Sequence, residues 1–354
     1  MDYRTQRSLE IDDKLQQILS ELPDMVRGFV RSIASSTTDL TRLAYVSDLR
    51  QFFFCLCEKC APFRGKKPSE ITCDDLMDVT LEHLEIFQEY LRRYERPDYE
   101  GESTDESIIL MNQNISISRK LTSVRTFFKY LYKHDLISAN ITEKVQMPKR
   151  TEKPIIYLER DEIDRMYDAV NNGDGLSKRQ KAYAKNTRIR DRAIIGMLIG
   201  TGIRSSELIG LDIDDIDLDN SSFLVTRKGN KQQILYFNDQ VRDVLADYLV
   251  IRKEITPCEG SEYALFLSLQ RKRLARMTLY DLVKKYAQVG APLKQVSPHK
   301  MRSTFGTTLY KETGDIYLVA TTLGHSDINT TKKHYAAEDE ERRKMASKMV
   351  DWVK

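Results

Sequence analysis

The sequence predicts a two-domain, mainly α-helical protein whose second domain contains a small antiparallel β-sheet. Its length of 354 residues is typical of two domains. Apolar residues recur at helical spacing in several stretches of the chain. Residues 223–237 differ, because they hold two β-rich runs on either side of Lys228-Gly229-Asn230-Lys231, a pattern typical of a β-hairpin.

Helical patterns make up the first part of the chain. Residues 1–30 predict an amphipathic N-terminal extension, and residues 31–147 predict a first domain. Helical segments are expected over Asp24–Leu56, Leu76–Tyr94 and Ser118–His134, with an exposed loop over Glu95–Glu106. An aromatic stripe in the last helix follows the helical period and is interpreted as core rather than as a base-stacking platform. It consists of Phe127, Phe128, Tyr130 and Tyr132.

The stretch Met147–Pro154 predicts the domain boundary, because it is polar and basic and its two prolines favour an extended chain. We expect a linker over residues 148–158 and a second domain over residues 159–337. The second domain should open with a helix over Asp161–Val170.

Two further segments of the second half have open roles. Residues 171–187 carry Lys178, Arg179, Lys181 and Lys185, for which a solvated loop is the favoured interpretation and a phosphate-contact patch the alternative. Residues 338–354 predict a charged C-terminal helix with an apolar tip, which favours docking on a protein surface.

The composition is that of an ordinary globular chain, with 41% hydrophobic and 31% charged residues. No apolar run approaches the roughly 20 residues of a membrane span, and the first residues lack an apolar signal region, so a cytoplasmic location without membrane contact is expected. A net charge of +3 is too small to indicate nucleic-acid binding by itself.

Five cysteines in such a chain argue against a disulfide framework. Cys55, Cys57 and Cys60 cluster, with Cys73 nearby, but residues two apart on a helix point to different faces. Buried thiols are therefore favoured over a zinc site. No motif for a nucleotide or a metal is present, and no cofactor is expected.

Two arginines and a histidine suggest a site for a phosphodiester. Arg204 and Arg302 are the candidate phosphate forks, because guanidinium groups stabilise charge on the non-bridging oxygens. His299 and Arg302 are three residues apart and should share one face of a helix. Ser297 and Pro298 predict the start of that helix, whose positive end also favours an anion.

Attack on the phosphodiester requires a nucleophile and an acid. Tyr335 is the candidate nucleophile, with His299 as its base, while Tyr310 and Tyr317 are expected to pack. Lys228 at the hairpin tip is the candidate acid for the departing 5′ oxygen, and Lys231 is the reserve.

From about Thr41 to Tyr335, these motifs in this order resemble the tyrosine recombinases, or phage integrase family, and most closely their Xer-like branch. Arg204 stands in TGIRSSEL, Lys228 in RKGNK, and His299 and Arg302 match HxxR. His325 matches LGHS, and Tyr335 stands in KKHYA. The tyrosine comes one residue later than is usual in this branch, where His334 stands, which indicates an insertion between Asp327 and Lys333.

The resemblance implies an all-α core-binding (SAM-like) domain over residues 31–147 and a catalytic domain of the DNA breaking-rejoining fold over residues 159–337. It implies site-specific recombination through a 3′-phosphotyrosine intermediate and a Holliday junction, by a homotetramer on paired double-stranded DNA sites. Glu207 would orient the site, and residues 338–354 would dock on a neighbouring protomer. Predicted DNA contacts are Lys149, Arg150 and Lys231.

The biological role implied is integration or excision of a mobile element, or Xer-like resolution. Two other functions remain as alternatives: a DNA-relaxing enzyme of the type IB topoisomerase kind, and a DNA-binding protein without catalysis.

Overall fold

A computed structural model describes residues 3–95, 109–149, 155–227 and 231–324. The chain divides into two compact units, Met1–Glu152 and Lys153–Lys354. Within the described ranges, no helix combines the length and apolar character that a membrane span requires.

The first unit is a helical bundle with one small β-ribbon. Its helices are α1 (Tyr3–Ser20), α2 (Asp24–Ser32), α3 (Asp39–Lys59), α4 (Cys73–Met77), α5 (Leu81–Arg92) and α6 (Asn114–Lys133). Strands β1 (Arg93–Glu95) and β2 (Ile109–Met111) pair antiparallel. The ribbon is an addition to the all-α domain that the sequence predicts.

Aromatic side chains fill the core of the first unit. Phe127 and Phe128 of α6 are fully buried, and Phe127 meets Phe29 edge to face at 5.5 Å between ring centroids. The predicted core role is confirmed for these two residues and for Tyr130, which packs against the same core. It is wrong for Tyr132, which is 52% exposed.

Two expected elements of the first unit differ from the structure. The segment Leu76–Tyr94 is not one helix, because α4 ends at Met77 and α5 begins only at Leu81. Thr80 caps α5, since its side chain accepts a hydrogen bond from the His83 backbone nitrogen. Most of the loop expected over Glu95–Glu106 lies outside the described residues, and Glu95 itself belongs to β1.

The cysteines of α3 and its surroundings are free thiols. Cys55 and Cys60 are buried, and Cys57 and Cys73 are half-buried. Burial raises the pKa of all four thiols, that of Cys57 to about 11. Their burial agrees with the favoured interpretation as ordinary core thiols.

The second unit combines seven helices with a three-stranded antiparallel sheet among its described residues. The helices are α7 (Arg160–Asn172), α8 (Lys178–Thr201), α9 (Ser205–Ile209), α10 (Asp239–Glu254), α11 (Arg276–Gly290), α12 (Pro298–Thr313) and α13 (Ile316–Leu323). The strands, in sheet order, are β3 (Ile216–Asp217), β4 (Ser222–Arg227) and β5 (Lys231–Tyr236). The paired strands predicted within residues 223–237 are confirmed, with Phe223 opposite Leu235 and Arg227 opposite Lys231.

Helix α8 is the central element of the second unit. It packs against α7, α10 and α12, and its residues Ile194, Ile195 and Leu198 are fully buried. The helix predicted over Asp161–Val170 is confirmed as part of α7.

The loop expected over residues 171–187 is wrong, because α8 already begins at Lys178. Ser177 and Gln180 cap this start reciprocally, since each side chain accepts a hydrogen bond from the other residue's backbone nitrogen. The four cations of this segment, all of them exposed, are Lys178, Arg179, Lys181 and Lys185.

Candidate active site

Arg204 lies at the junction between α8 and α9, where Glu207 holds it in place. The Glu207 carboxylate accepts a hydrogen bond from the Arg204 backbone nitrogen at 3.0 Å and another from its Nη1 at 2.7 Å. The Glu207 side chain is only 5% exposed, whereas that of Arg204 is 37% exposed. A buried carboxylate therefore fixes one edge of a guanidinium whose other groups remain accessible.

Gly202 makes the turn that places Arg204. It ends α8 in the left-handed region with a φ of 63°, and a Cβ there would lie 2.5 Å from the Phe305 ring. Both the backbone conformation and the close approach of Phe305 favour glycine at this position.

Arg302 approaches the same turn from α12. That helix begins at Pro298 with Ser297 as its capping residue, as predicted, although the Ser297 side chain makes no capping hydrogen bond. Arg302 is buried and donates from Nη1 to the Gly202 carbonyl at 2.7 Å and from Nη2 to the Leu323 carbonyl. His299, one turn earlier on α12, is exposed at the start of the helix.

The end of α13 is where the arginines converge. Its last residues are followed by Gly324, which has a φ of 61°. The Thr322 carbonyl accepts from Arg227 Nη2 at 3.4 Å, the Leu323 carbonyl from Arg302, and the Gly324 carbonyl from Arg204 Nη2 at 3.0 Å. The final carbonyls of a helix lack partners within the helix and carry its negative dipole end, so they attract cations. Three guanidinium groups are thereby gathered immediately before His325 in the sequence.

Arg227 is the member of this cluster that the sequence motifs do not identify. It ends β4, where alternation places it on the same face as the buried residues Phe223 and Val225. Its Nε lies 3.8 Å from the Glu207 carboxylate, and burial lowers the pKa of its guanidinium. Strand alternation from Phe223 is the signal that could have indicated an inward-pointing arginine.

Among the described residues, the cluster combines the guanidinium groups of Arg204, Arg227 and Arg302 with one carboxylate, that of Glu207. Such an excess of fixed positive charge in a partly buried site stabilises an anion, and guanidinium groups match phosphate geometry. Nowhere in the described ranges do three His, Cys, Asp or Glu side chains gather as a metal site would require.

The other predicted site residues have different surroundings. Lys231 is exposed at the start of β5, where it is the strand partner of Arg227. Lys149 belongs to the first unit and is exposed. Tyr310 is buried as predicted, but the prediction that Tyr317 packs is wrong, since it is 65% exposed. Four residues lie outside the described ranges: Arg150, Lys228, His325 and Tyr335.

Comparison with known proteins identifies relatives along most of the chain. The model of the "Phage integrase family" matches residues 157–342. The tyrosine recombinase XerC of Caldanaerobacter subterraneus is 33% identical over 335 residues, which cover 92% of this chain and 86% of that protein. The tyrosine recombinase XerS of Streptococcus agalactiae is 28% identical over 358 residues, which cover 95% and 98%.

Solved structures share the fold. The Tn1549 transposon integrase in complex with circular intermediate DNA has a TM-score of 0.61 at 20% identity, with coverage of 91% of this chain and 99% of that one. The XerH site-specific recombinase bound to difH substrate has a TM-score of 0.59 at 20% identity, with coverage of 88% and 79%. With the mainly helical architecture and the small antiparallel sheet, these matches confirm the predicted fold class. The chain belongs to the phage integrase family, the tyrosine recombinases, and within it to the Xer-like branch, whose members cut and rejoin DNA strands.

Proposed function

We propose that this enzyme recombines double-stranded DNA at specific sites, with Tyr335 as its nucleophile and Arg204 and Arg302 as the phosphate forks. The observation that carries the proposal is the convergence of these two arginines, about a hundred residues apart in sequence, on the last carbonyls before His325. Solved relatives bound to DNA support a duplex substrate.

In the proposed reaction, the Tyr335 oxygen attacks the phosphorus and loses its proton to His299. The bond to the 5′ oxygen breaks, and that oxygen takes a proton from Lys228. The product is a 3′-phosphotyrosine and a free 5′ hydroxyl. A 5′ hydroxyl from the partner duplex then attacks the phosphotyrosine and gives its proton to Lys228, which lost one in the first step. The tyrosine oxygen leaves with a proton returned by His299, and a Holliday junction results.

The other residues have supporting roles in this proposal. Arg204 and Arg302 stabilise charge on the non-bridging oxygens, where preorganised donors favour the transition state over the ground state. Glu207 keeps Arg204 oriented through its two hydrogen bonds. His325 follows Gly324 directly and is assigned to the same phosphate. Lys149, Arg150 and Lys231 are assigned to the DNA backbone.

A nicked suicide substrate tests the nucleophile, because loss of the short 5′ strand traps the covalent adduct. Wild-type protein should form a 3′-phosphotyrosyl adduct that maps to Tyr335, and Tyr335→Phe should abolish it while binding the same DNA. Tyr317→Phe, which removes an exposed hydroxyl elsewhere in the unit, is the matched control. An undiminished adduct in Tyr335→Phe rejects the assignment.

Assembly and role belong to the same proposal. The enzyme acts as a homotetramer on paired sites in the cytoplasm, for integration or excision of a mobile element or for Xer-like resolution. Supercoiled plasmids with two copies of the cognate site, or with none, test the reaction: recombination confined to the first plasmid supports it. Relaxation of both plasmids alike, or binding without cleavage, contradicts it.

A further inference from the structure

Arg227 occupies a position that links three pieces of the candidate site. It is the last residue of β4, directly before Lys228 in sequence, and its side chain is 11% exposed. Its Nε lies 3.8 Å from Glu207 of α9, and its Nη2 donates to the Thr322 carbonyl of α13. One guanidinium therefore touches the hairpin strand, the carboxylate that holds Arg204, and the end of the helix that precedes His325.

Gly324 has no side chain, and the Arg227 guanidinium occupies the space that a side chain there would fill. A Cβ at Gly324 would overlap the Arg227 guanidinium. Any larger residue would push Arg227 away from α13, quite apart from the positive φ of 61°. The glycine before His325 is thus required by Arg227 as well as by the helix end.

Among the described residues, Arg227 makes few contacts that compensate for a buried charge. A guanidinium has five donor hydrogens. Here one hydrogen bond is long, at 3.4 Å, and Nε is buried without a hydrogen-bond partner among the described residues. The Arg204 guanidinium also opposes its charge. A buried charge costs stability unless it is paired and hydrogen-bonded, and in the described part of the chain Arg227 finds Glu207 and the Thr322 carbonyl for these roles.

We propose that Arg227 is a positioning residue, which fixes the hairpin end carrying Lys228 and the α13 end preceding His325 relative to the pair formed by Arg204 and Glu207. This inference rests on the proposed function, because it assigns Lys228 as the acid. We expect Arg227 to act mainly on the placement of the Lys228 side chain, since Lys228 follows Arg227 directly in the sequence.

The test compares Arg227→Met, which keeps the length and removes the charge, with Arg242→Met, which changes a half-buried arginine of α10 in the same unit. Melting temperature, half-site affinity and cleavage rate are measured for each. Arg227→Met should keep the melting temperature and the affinity but cleave at least about tenfold more slowly, a part of the 10²–10⁴-fold that an acid contributes. Arg242→Met should match wild type. Wild-type cleavage by Arg227→Met, or a fall in its melting temperature that accounts for the lost activity, overturns the inference.

A substrate whose leaving group is a 5′-thiolate separates positioning from a merely structural role, because a thiolate needs little protonation. This substrate should restore most of the rate of Arg227→Met, as it should for Lys228→Ala, but not that of Arg204→Ala. Arg227→Lys should remain slow on the normal substrate, since one ammonium cannot replace the fork. Absence of thiolate rescue, or full activity of Arg227→Lys, contradicts the inference. If wild type forms no adduct at Tyr335, it is the proposed function that fails.

Discussion

Glu207 fixes the orientation of the Arg204 side chain. Its carboxylate binds the backbone and the side chain of Arg204, so the guanidinium keeps one orientation before any substrate arrives. Preorganised donors stabilise developing charge without a cost of reorganisation during the reaction. Arg302 reaches a similar fixed state by burial and by its bonds to two carbonyls. The two guanidinium groups are therefore held by different means.

We predict that Arg204→Ala and Arg302→Ala each reduce the single-turnover cleavage rate by roughly 10²–10³-fold. This loss corresponds to about 2.7–4 kcal/mol, as is typical for one donor to an oxyanion. Lysine at either position should not restore the rate, because it lacks the planar fork. The measurement is adduct formation on the nicked substrate at saturating protein.

Arg302→Ala also leaves buried carbonyls without their partner, so its folding must be checked by thermal unfolding. Arg204, whose side chain is 37% exposed, gives the cleaner comparison. Near-wild-type cleavage by Arg204→Lys would show that charge alone suffices at this position.

Sequence motifs identify Arg204, Glu207 and Arg302 because each stands in a short recognisable string, and the structure brings all three to one place. They do not identify Arg227, because its position depends on the pairing of β4 with β5 and on the packing of α13. Contacts between residues 95 apart in sequence cannot be predicted from spacing alone.

At the scale of elements, helix ends explain where sequence-based expectation and structure differ. Thr80 begins α5 with a side-chain cap, which divides an otherwise continuous apolar pattern. Ser177 and Gln180 begin α8 with a reciprocal cap, although the following turns are almost entirely polar. The spacing of apolar residues alone predicts a single helix over Leu76–Tyr94, where the structure has two, and a loop over residues 171–187, where the structure begins α8. The capping residues Thr80 and Ser177 mark these two helix starts in the sequence.

Helix α3 gives a prediction about thiol chemistry. Burial and the nearby Glu70 carboxylate raise the pKa of Cys57 to about 11, above the usual cysteine value of about 8.5. Since the thiolate is the reactive form, alkylation of Cys57 at pH 8 should be at least about tenfold slower in the folded than in the urea-unfolded protein. Mass spectrometry of peptides after iodoacetamide treatment measures this difference.

The raised pKa of Cys57 fixes the sign of its contribution to the pH dependence of folding stability. Because folding raises the pKa, the protonated thiol stabilises the folded state fully below the unfolded pKa, and this contribution is lost as pH rises toward 11. The alkylation rate of folded Cys57 should accordingly keep rising between pH 9 and about 11. A plateau reached by pH 9 would contradict the raised pKa.

At the scale of the whole molecule, we propose that assembly depends on a segment outside the described ranges. Residues 338–354 follow the proposed nucleophile and end in an apolar group. Buried apolar side chains contribute about 1.5–3 kcal/mol each, enough for a reversible contact between protomers. The apolar group consists of Met349, Val350, Trp352 and Val353.

We predict that deletion of residues 338–354 weakens synapsis of paired sites and leaves the affinity of one protomer for a half-site nearly unchanged. Native gels with one or two labelled sites measure the two quantities separately. Docking back onto the same protomer would instead reduce half-site binding or stability. Normal assembly and a wild-type recombination rate in the truncated protein would show that residues 338–354 have no role in assembly.

Helix α8 has a consequence for how this protein tolerates changes of length. Its 24 residues form a rod of about 36 Å whose far end, at Gly202, is fixed by Arg302. A residue added near the cap at Ser177 lengthens the N-terminal end of the rod and leaves Arg204 where it is. A residue added beyond Asp191 turns one part of the rod against the other by about 100°. Related sequences should therefore show insertions and deletions in residues 171–187 and few or none between Asp191 and Arg204.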